Sequence, residues 1–322
     1  MAIGPVSHYA RGFHPTATLG VFGATAAAAS LLGLTAAELE HAFGVNGSQA
    51  AGSMQFLENG SWNKRVHPGF AAHGAILAVE LARRGFVGSS EPLEGRRGLL
   101  AGYSDAARPE LAVAGLGERW EILHTAVKPY PACRYAHAPL DILTDLVAEH
   151  GLRADEVEAV TIGVSDAAVD LIGAPLERKR RVESVVDGQF SMPFLAAVAL
   201  LRGRMTWSDY ELVGDPETVA LTQRVTVVSD PEANALYPER WLGAVEVETA
   251  RGTFADRRWI TRGEPERPLG WEGVEAKFDA LASATLGAEE RGALAAVVRD
   301  LAGLEDLRAL GARLRGPAVA VG

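Results

Sequence analysis

Apolar and small residues recur at helical spacing over the first 85 residues, and glycines interrupt this pattern at short intervals. Thr35 is followed three residues later by Glu38, which is the signature of a capping box at the start of a helix. Gly33 and Gly44 follow apolar runs at positions where a glycine commonly ends a helix. We therefore predict short helices joined by short loops, over residues 15–32, 36–43, 46–57 and 70–84.

The pattern changes at Arg119, after which apolar and polar residues alternate weakly up to Lys128 and predict a strand over residues 120–127. Helical spacing returns over residues 138–150 and ends at Gly151. Runs rich in β-branched residues then predict strands, the last two forming a hairpin around Arg251 and Gly252: 157–164, 224–228, 245–249 and 253–260. This stretch is predicted to be an α+β unit with an antiparallel sheet.

Beyond Pro268 the spacing is helical again, over residues 271–281, 289–301 and 304–314. Three short helices bury little apolar surface by themselves, so we expect them to pack on the first helices. The predicted fold class is mainly α with an inserted α+β domain. Its all-helical domain is built from both chain ends, residues 1–118 and 263–322, and the smaller domain with the antiparallel sheet covers residues 119–262.

The net charge of −10 argues against a general nucleic-acid binder, which needs a basic face. The single cysteine, Cys133, excludes an internal disulfide framework. The N-terminus has no basic segment followed by an apolar core, and the apolar run 21–34 is too short to span a bilayer. We therefore expect a cytoplasmic protein that binds neither nucleic acid nor membranes.

The most unusual stretch is residues 60–69 (GSWNKRVHPG), which places Lys64, Arg65 and His67 within four positions. Its flanks are apolar, so we predict a loop held between two packed helices, anchored by Trp62 and Val66. If that loop is partly buried, its charges need an anionic partner, and a substrate carboxylate would serve. The alternative is a solvated charged loop, which is the usual fate of such clusters.

A second cluster, Lys128, Arg134 and His137, follows the start of the α+β unit and is stiffened by two prolines. It is predicted either to line an interdomain ligand site or to form a rigid linker with incidental charge. His14 precedes Pro15 at a predicted helix start. It is either a packed or capping histidine or a general base, since a helix N-terminus lowers the pKa of an imidazole.

The sequence contains none of the common motifs for metal, nucleotide or serine-hydrolase chemistry. No His-x-x-x-His motif with a carboxylate and no pair of cysteines suggests a metal site. The glycine-rich stretches fit neither the dinucleotide fingerprint nor the P-loop, and there is no Gly-x-Ser-x-Gly elbow. Metal, nucleotide and serine-hydrolase chemistry are therefore less favoured.

Several motifs in one order resemble those of the MmgE/PrpD family, which includes 2-methylcitrate dehydratase, cis-aconitate decarboxylase and iminodisuccinate epimerase. The resemblance runs from Arg11 nearly to the C-terminus. The motifs are RGFHPT (11–16), GVFGA (20–24), GSQA (47–50), KRVHPG (64–69), RGFVG (84–88), KPYP (128–131), DGQFS (187–191) and WEGVEAKF (271–278).

The resemblance implies a helical domain with a smaller lid-like α+β domain, catalysis without metal or cofactor, and usually a homodimer. It also implies an active site between the domains, with catalytic roles for His14, Lys64, Lys128 and His137. Lys64 and Lys128 would also bind substrate carboxylates, together with Arg65, His67 and Arg134. These charges suit the removal of a proton from carbon next to a carboxylate.

The sequence departs from the family pattern in two ways. The family has a further helical segment ahead of the position of Arg11, so we expect a truncated product, a mis-called start or a separate chain that supplies the segment. The rival hypothesis is a truncated, non-catalytic remnant. Met192 stands where the decarboxylases carry a tyrosine. The leading hypothesis is therefore a cofactor-free hydro-lyase acting on a 2-methylcitrate-like tricarboxylate, and the alternative is an isomerase, epimerase or decarboxylase of a related polycarboxylate.

Overall fold

The structure is a computed structural model that describes residues 2–59 and 61–314. The chain divides into two compact units, Met1–Trp120 and Glu121–Gly322. The helices of the first unit are α1 (Pro5–Ala10), α2 (Pro15–Thr18), α3 (Gly20–Leu32), α4 (Ala36–Gly47), α5 (Phe56–Asn59), α6 (Asn63–Arg83) and α7 (Leu99–Tyr103).

Helices α3 and α4 pack against α6, the longest helix described. The buried residues at their crossing are small, namely Ala28, Ala29, Ala42, Ala78, Val79 and Ala82. Alanine leaves little side-chain bulk, so the helix backbones approach closely. The predicted capping box is confirmed, because Thr35 Oγ1 accepts from the Glu38 N–H while the Glu38 carboxylate accepts from the Thr35 N–H.

Two boundaries in this unit differ from the prediction. Gly44 does not end its helix, because α4 continues to Gly47. A Cβ at Gly44 would lie 2.2 Å from the carbonyl oxygen of Ser89, so the glycine permits close packing rather than a helix end. The predicted helix over 46–57 is also wrong: Asn46 is buried in the last turn of α4 and donates to Thr25 Oγ1, and the next helix, α5, begins only at Phe56.

The predicted loop over 60–69 is wrong in a way that matters for the site. Helix α6 begins at Asn63, so Lys64, Arg65 and His67 lie in its first two turns. Pro68 lies inside this helix, where it removes the hydrogen bond that residue 68 would donate to the carbonyl of residue 64.

The helical stretch Pro15–Leu32 passes the length and composition test for a membrane span, with a mean hydropathy of 1.3 over 18 residues. It is interrupted at Leu19 and 39% of it is buried within the protein. The core helix of a soluble protein and a signal sequence near the N-terminus pass the same test. The prediction that the protein binds no membrane stays a prediction.

The second unit contains a four-stranded sheet in the order β2-β1-β3-β4. Its strands are β1 (Val157–Val164), β2 (Val225–Ser229), β3 (Gly243–Thr249) and β4 (Gly252–Arg258). Its helices are α8 (His137–His150), α9 (Asp166–Ala168), α10 (Leu176–Lys179), α11 (Val185–Gln189), α12 (Met192–Arg202), α13 (Pro216–Thr222), α14 (Pro231–Leu236), α15 (Gly270–Ala282), α16 (Ala288–Arg299) and α17 (Arg308–Leu314).

The fold class, mainly α with a small sheet, is confirmed, but the sheet is mixed rather than purely antiparallel. Strand β1 pairs antiparallel with β3 and parallel with β2, with Val160 opposite Val225 in the parallel pair. A parallel pair needs a long crossover, and residues 165–224 supply it through helices α9 to α13. Helices α8 and α12 bury the apolar face of this sheet.

The predicted strand over 120–127 is wrong, because residues Glu121–His124 form a 3₁₀ turn and Ile122 and Leu123 are exposed. Leu123 and Val127 are apolar on the face that should be polar, so the alternation did not define a buried side. Helix α15 lies in this second unit, where Lys277 Nζ donates to the carbonyl of Lys128 over 2.8 Å. The predicted division into residues 1–118, 119–262 and 263–322 stays a prediction.

Candidate functional site

His14 is fixed by its backbone at the start of α2, as its position before Pro15 predicts. Its N–H donates to the carbonyl of Gly52 over 2.9 Å, and its own carbonyl accepts from the N–H groups of Ala17 and Thr18. The imidazole is buried, with 8% of the residue exposed. The backbone of His14 is therefore fixed, and burial restricts the positions open to its ring.

The ring of His14 meets the ring of His67, which α6 carries in its second turn. The two Nδ1 atoms are 2.8 Å apart, a hydrogen-bond distance, and His67 is 5% exposed. Phe56 packs edge-on against both imidazoles, with ring centroids 5.7 Å from His14 and 5.8 Å from His67. Three rings from separate segments therefore form one packed cluster around a nitrogen–nitrogen hydrogen bond.

Both imidazoles are neutral near pH 7. Burial, together with the smaller effects of His67 and of the Lys64 charge, lowers the pKa of His14 to about 4. Burial also lowers the pKa of His67. A neutral imidazole has one nitrogen with a free lone pair, which is what a proton acceptor requires.

Lys64 and Arg65 are exposed in the first turn of α6. The Lys64 ammonium lies 6.0 Å from the centre of the Phe56 ring, and the Arg65 guanidinium lies 5.1 Å from the Trp62 ring. Unpaired N–H groups and the helix dipole add positive potential at a helix N-terminus. The structure thus brings Lys64, Arg65, His67 and His14 together as the sequence predicts, on a helix rather than a loop.

Lys128 lies in the second unit, in a segment that several hydrogen bonds hold in place. Its Nζ donates to the carbonyl of Ala132 over 3.1 Å. The carbonyl of Pro131 accepts from the Tyr210 hydroxyl over 2.7 Å, and the Cys133 N–H donates to the carbonyl of Gln189 over 2.9 Å. The DGQFS motif, which contains Gln189, therefore holds the KPYP motif in place.

His137 begins α8 and is 1% exposed. Its Nε2 lies 3.4 Å from the carbonyl oxygen of Ala132, which makes Nε2 the protonated nitrogen of a neutral ring. Burial lowers the pKa of His137 to about 3, helped by the positive charges of Arg134 and Lys128. The catalytic role expected for His137 stays a prediction, since the ring is enclosed in this structure.

Arg134 forms an ion pair with Glu264 and lies 5.4 Å from the ring of Trp241. Its Nη1 is buried and has no hydrogen-bond partner in the described parts of the chain. An unsatisfied buried donor costs free energy, so this nitrogen favours an added acceptor. The structure keeps Lys128, Arg134 and His137 close together, as the sequence predicts.

A buried carboxylate that was not predicted from the sequence lies near this cluster. Asp141 is fully buried in α8 and accepts from the Tyr130 hydroxyl over 2.7 Å, from the Arg262 Nε over 2.9 Å and from the Arg267 Nη1 over 3.1 Å. The signal was present, because Asp141 lies among apolar residues of an otherwise regular helix. A carboxylate at such a position must be paired.

Within residues 2–59 and 61–314, no group of three or more His, Cys, Asp or Glu side chains is placed to hold a metal ion. The absence of a metal or cofactor from the reaction stays a prediction.

Comparison with known proteins bears on both units. A family model of the MmgE/PrpD N-terminal domain matches residues 2–112, and one of the MmgE/PrpD C-terminal domain matches residues 130–302. The chain is 27% identical over 318 residues to a cis-aconitate decarboxylase of Homo sapiens, covering 95% of this chain and 63% of that protein. The chain thus spans less than two thirds of that relative.

Two further relatives are named for two different reactions. A cis-aconitate decarboxylase of Aspergillus terreus is 28% identical over 279 residues, or 80% of this chain and 54% of that protein. A 2-methylcitrate dehydratase of Cupriavidus necator is 29% identical over 150 residues, or 44% of this chain and 29% of that protein. Both names describe lyases.

Proposed function

This chain belongs to the MmgE/PrpD family, and from that premise we propose that it is a lyase acting on a tricarboxylate, with His14 as the group that accepts or returns the substrate proton. The observation that carries the proposal is the buried His14–His67 pair beside the Lys64 end of α6. Cations and neutral imidazoles in one place are what proton transfer next to a carboxylate requires.

The proposed reaction begins at a C–H bond next to a carboxylate. The proton goes to the free ring nitrogen of His14, and the electron pair moves into the carboxylate as an enolate. Lys64 stabilises the added negative charge, because its ammonium is close enough to depress the pKa of His14. Bound substrate would neutralise Lys64 and so make His14 more basic when it is needed.

We propose dehydration of a 2-methylcitrate-like tricarboxylate as the leading reaction. In that reaction the electron pair of the enolate forms a carbon–carbon double bond, and the hydroxyl leaves with a proton from an acid as water. The support is Met192, which stands in place of the tyrosine expected of the decarboxylases. Met192 is fully buried in the core of the second unit, so no polar group is offered there.

Decarboxylation of a cis-aconitate-like tricarboxylate is the second candidate, and the names of several relatives support it. The relatives named cis-aconitate decarboxylase align with 80–95% of this chain, against 44% for the relative named 2-methylcitrate dehydratase of Cupriavidus necator. Here a carbon–carbon bond breaks, carbon dioxide leaves, and the electron pair on carbon takes a proton. A protonated His14 would supply that proton.

We propose Lys64 and Arg65 as the residues of the first unit that bind substrate carboxylates. In the second unit the same role is proposed for Lys128 and for the unsatisfied Nη1 of Arg134. His137 is kept as a candidate acid, and the homodimer, the cytoplasmic location and a separate partner chain stay predictions.

The test is a panel of 2-methylcitrate, citrate and cis-aconitate, with alkene absorbance and released carbon dioxide measured on the same samples. Water loss without carbon dioxide supports dehydration, and carbon dioxide release supports decarboxylation. His14→Ala should abolish turnover and Lys64→Ala should lower kcat/KM by on the order of 100-fold, while His73→Ala, an exposed site on the helix of Lys64, should change neither. Near-normal turnover in either of the first two variants would contradict the proposal.

A further inference from the structure

The nitrogen of His67 that faces the site is already engaged. Its Nδ1 lies 2.8 Å from the Nδ1 of His14, the ring is 5% exposed, and Phe56 packs against its edge. Binding a carboxylate through Nδ1 would break the contact with His14. The structure therefore favours a role for His67 that acts through His14 rather than through direct contact with the substrate.

A contact between two Nδ1 atoms restricts the protons on both rings. Two bare nitrogens at this distance would repel each other, and two N–H groups would clash, so one Nδ1 carries a hydrogen and the other accepts it. In neutral rings this makes the tautomers complementary. Either His14 carries its proton on Nδ1 and has a bare Nε2, or it carries its proton on Nε2 and His67 is the donor.

The two rings are not held in the same way. His67 lies on a 21-residue helix whose packing face includes the buried residues Ala71 and Ala75. His14 lies between the short helices α1 and α2, and its N–H is bonded to the carbonyl of Gly52, next to which the His67 ring also packs. Helix α6 thus holds His67 as the fixed ring of the pair, and the segment between α1 and α2 carries His14, the ring that reacts.

We propose that His67 is a positioning residue that accepts the Nδ1–H of His14 and so keeps the Nε2 of His14 bare, facing the substrate as the proton acceptor. The inference rests on the proposed function, since it takes His14 as the base. When Nε2 gains a proton, the bond from Nδ1–H to His67 becomes charge-assisted and therefore stronger. The hydrogen bond then stabilises the transition state more than the ground state.

The first test does not depend on activity. Long-range ¹H–¹⁵N spectra of the ring nitrogens, recorded on the intact protein near pH 7.5, distinguish the protonated from the bare nitrogen of each of the eight histidines. Spectra of His14 and His67 variants assign the two rings. The proposal expects a bare Nε2 on His14 and a bare Nδ1 on His67, and a protonated Nε2 on His14 overturns it.

The second test compares two substitutions in turnover. His67→Leu removes the acceptor, and kcat should fall about 100-fold, the scale of a misplaced general base, while KM stays within about twofold. His67→Asn places Oδ1 near the former Nδ1, so it should hold His14 and recover most of the rate. His73→Leu, an exposed histidine on the same helix, is the matched control and should leave both constants unchanged.

The outcomes separate the two proposals. A rise in KM with unchanged kcat in His67→Leu would make His67 a substrate-binding residue and overturn the inference. A folded His67→Asn variant as slow as His67→Leu would also overturn it. If the wild-type protein turned over none of the three tricarboxylates, the proposed function would fail, while the nitrogen spectra would still decide the tautomer of His14.

Discussion

The Tyr130 hydroxyl donates to Asp141 Oδ1 over 2.7 Å, and this bond joins the KPYP segment to helix α8. The partner oxygen, Oδ2, accepts from the backbone N–H of Arg262 over 2.8 Å. One fully buried carboxylate therefore ties the segment that carries Lys128 to the loop that carries Glu264, the ion-pair partner of Arg134. Asp141 thus connects the segment of Lys128 with the loop that holds Arg134 through Glu264.

Asp141→Asn should lower the free energy of unfolding by about 3 kcal/mol, because it removes the fully buried carboxylate that pairs with Arg262 and Arg267 and leaves them only the partly exposed Asp145. Both arginines are partly exposed, so solvent screening limits the loss of stability. The measurement is urea unfolding at pH 7. Asp155→Asn is the matched control, since Asp155 and its partner Arg153 are mostly exposed, and a change below about 1 kcal/mol is expected there. Equal stability of the two variants would contradict the central role of Asp141.

Local signals in the sequence predicted local structure well. The Thr35–Glu38 capping box, the helix ending at Gly151 and the hairpin at Gly252 depend on neighbouring residues alone, and all three are observed. The predictions that failed depended on distant partners. Asn46 looked like a helix cap because its partner, Thr25, lies 21 positions away, and Gly44 looked like a helix end because Ser89 lies 45 positions away.

In the candidate site, too, contacts between residues distant in sequence were not predicted. The sequence placed Lys64, Arg65 and His67 near one another, and the resemblance pointed to His14, but neither predicted that His14 and His67 share a hydrogen bond across 53 positions. Phe56 entered no motif, yet it packs against both rings. A long-range contact of this kind is set by the packing of α6, which local periodicity does not describe.

Gly52→Ala should disturb the backbone hydrogen bond between the His14 N–H and the carbonyl of residue 52. Gly52 has φ of 155°, and a Cβ there would lie 2.4 Å from the Cβ of Ala17, so α2 or the backbone at Gly52 must move. We expect a loss of about 1–3 kcal/mol of stability and a larger fall in kcat than in the affinity for substrate.

The control for this change is Gly23→Ala in helix α3, where a Cβ would meet no atom within 4 Å. Because alanine is the better helix former, that variant should be stabilised by up to about 1 kcal/mol. Thermal unfolding of both variants, with kinetics on the same preparations, checks the pair. A Gly52→Ala protein with normal stability and normal kcat would show that the close approach to Ala17 is tolerated.

Lys64→Met should weaken substrate binding and slow turnover, because it removes a charge that stabilises carboxylates while keeping a long apolar stem. Loss of one such stabilising group costs on the order of 100-fold in kcat/KM. Lys64→Arg keeps the charge and should recover part of the loss. The measurement is kcat/KM at two ionic strengths, and the wild-type value should fall with salt more steeply than that of Lys64→Met. Identical salt dependence would remove Lys64 from the carboxylate site.

The buried His137 should make stability depend on pH. Its pKa is about 3 in the folded protein against an ordinary value of 6.5, so between these values the unfolded chain binds more protons. The free energy of unfolding should therefore fall as pH falls below 6.5, by up to about 1.4 kcal/mol per pH unit from this group. Above pH 6.5 the same histidine contributes no slope, because it is neutral in both states.

The contribution of His137 is isolated by comparing slopes, since other groups also titrate in acid. His137→Asn should flatten the dependence of the unfolding free energy on pH between 7 and 5, where the neutral asparagine has no proton to gain. His124→Asn, at an exposed histidine of the same unit, should keep the wild-type slope. Urea unfolding at half-unit pH steps measures both. If His137→Asn followed the wild-type slope, the enclosed imidazole would be gaining its proton without leaving the fold.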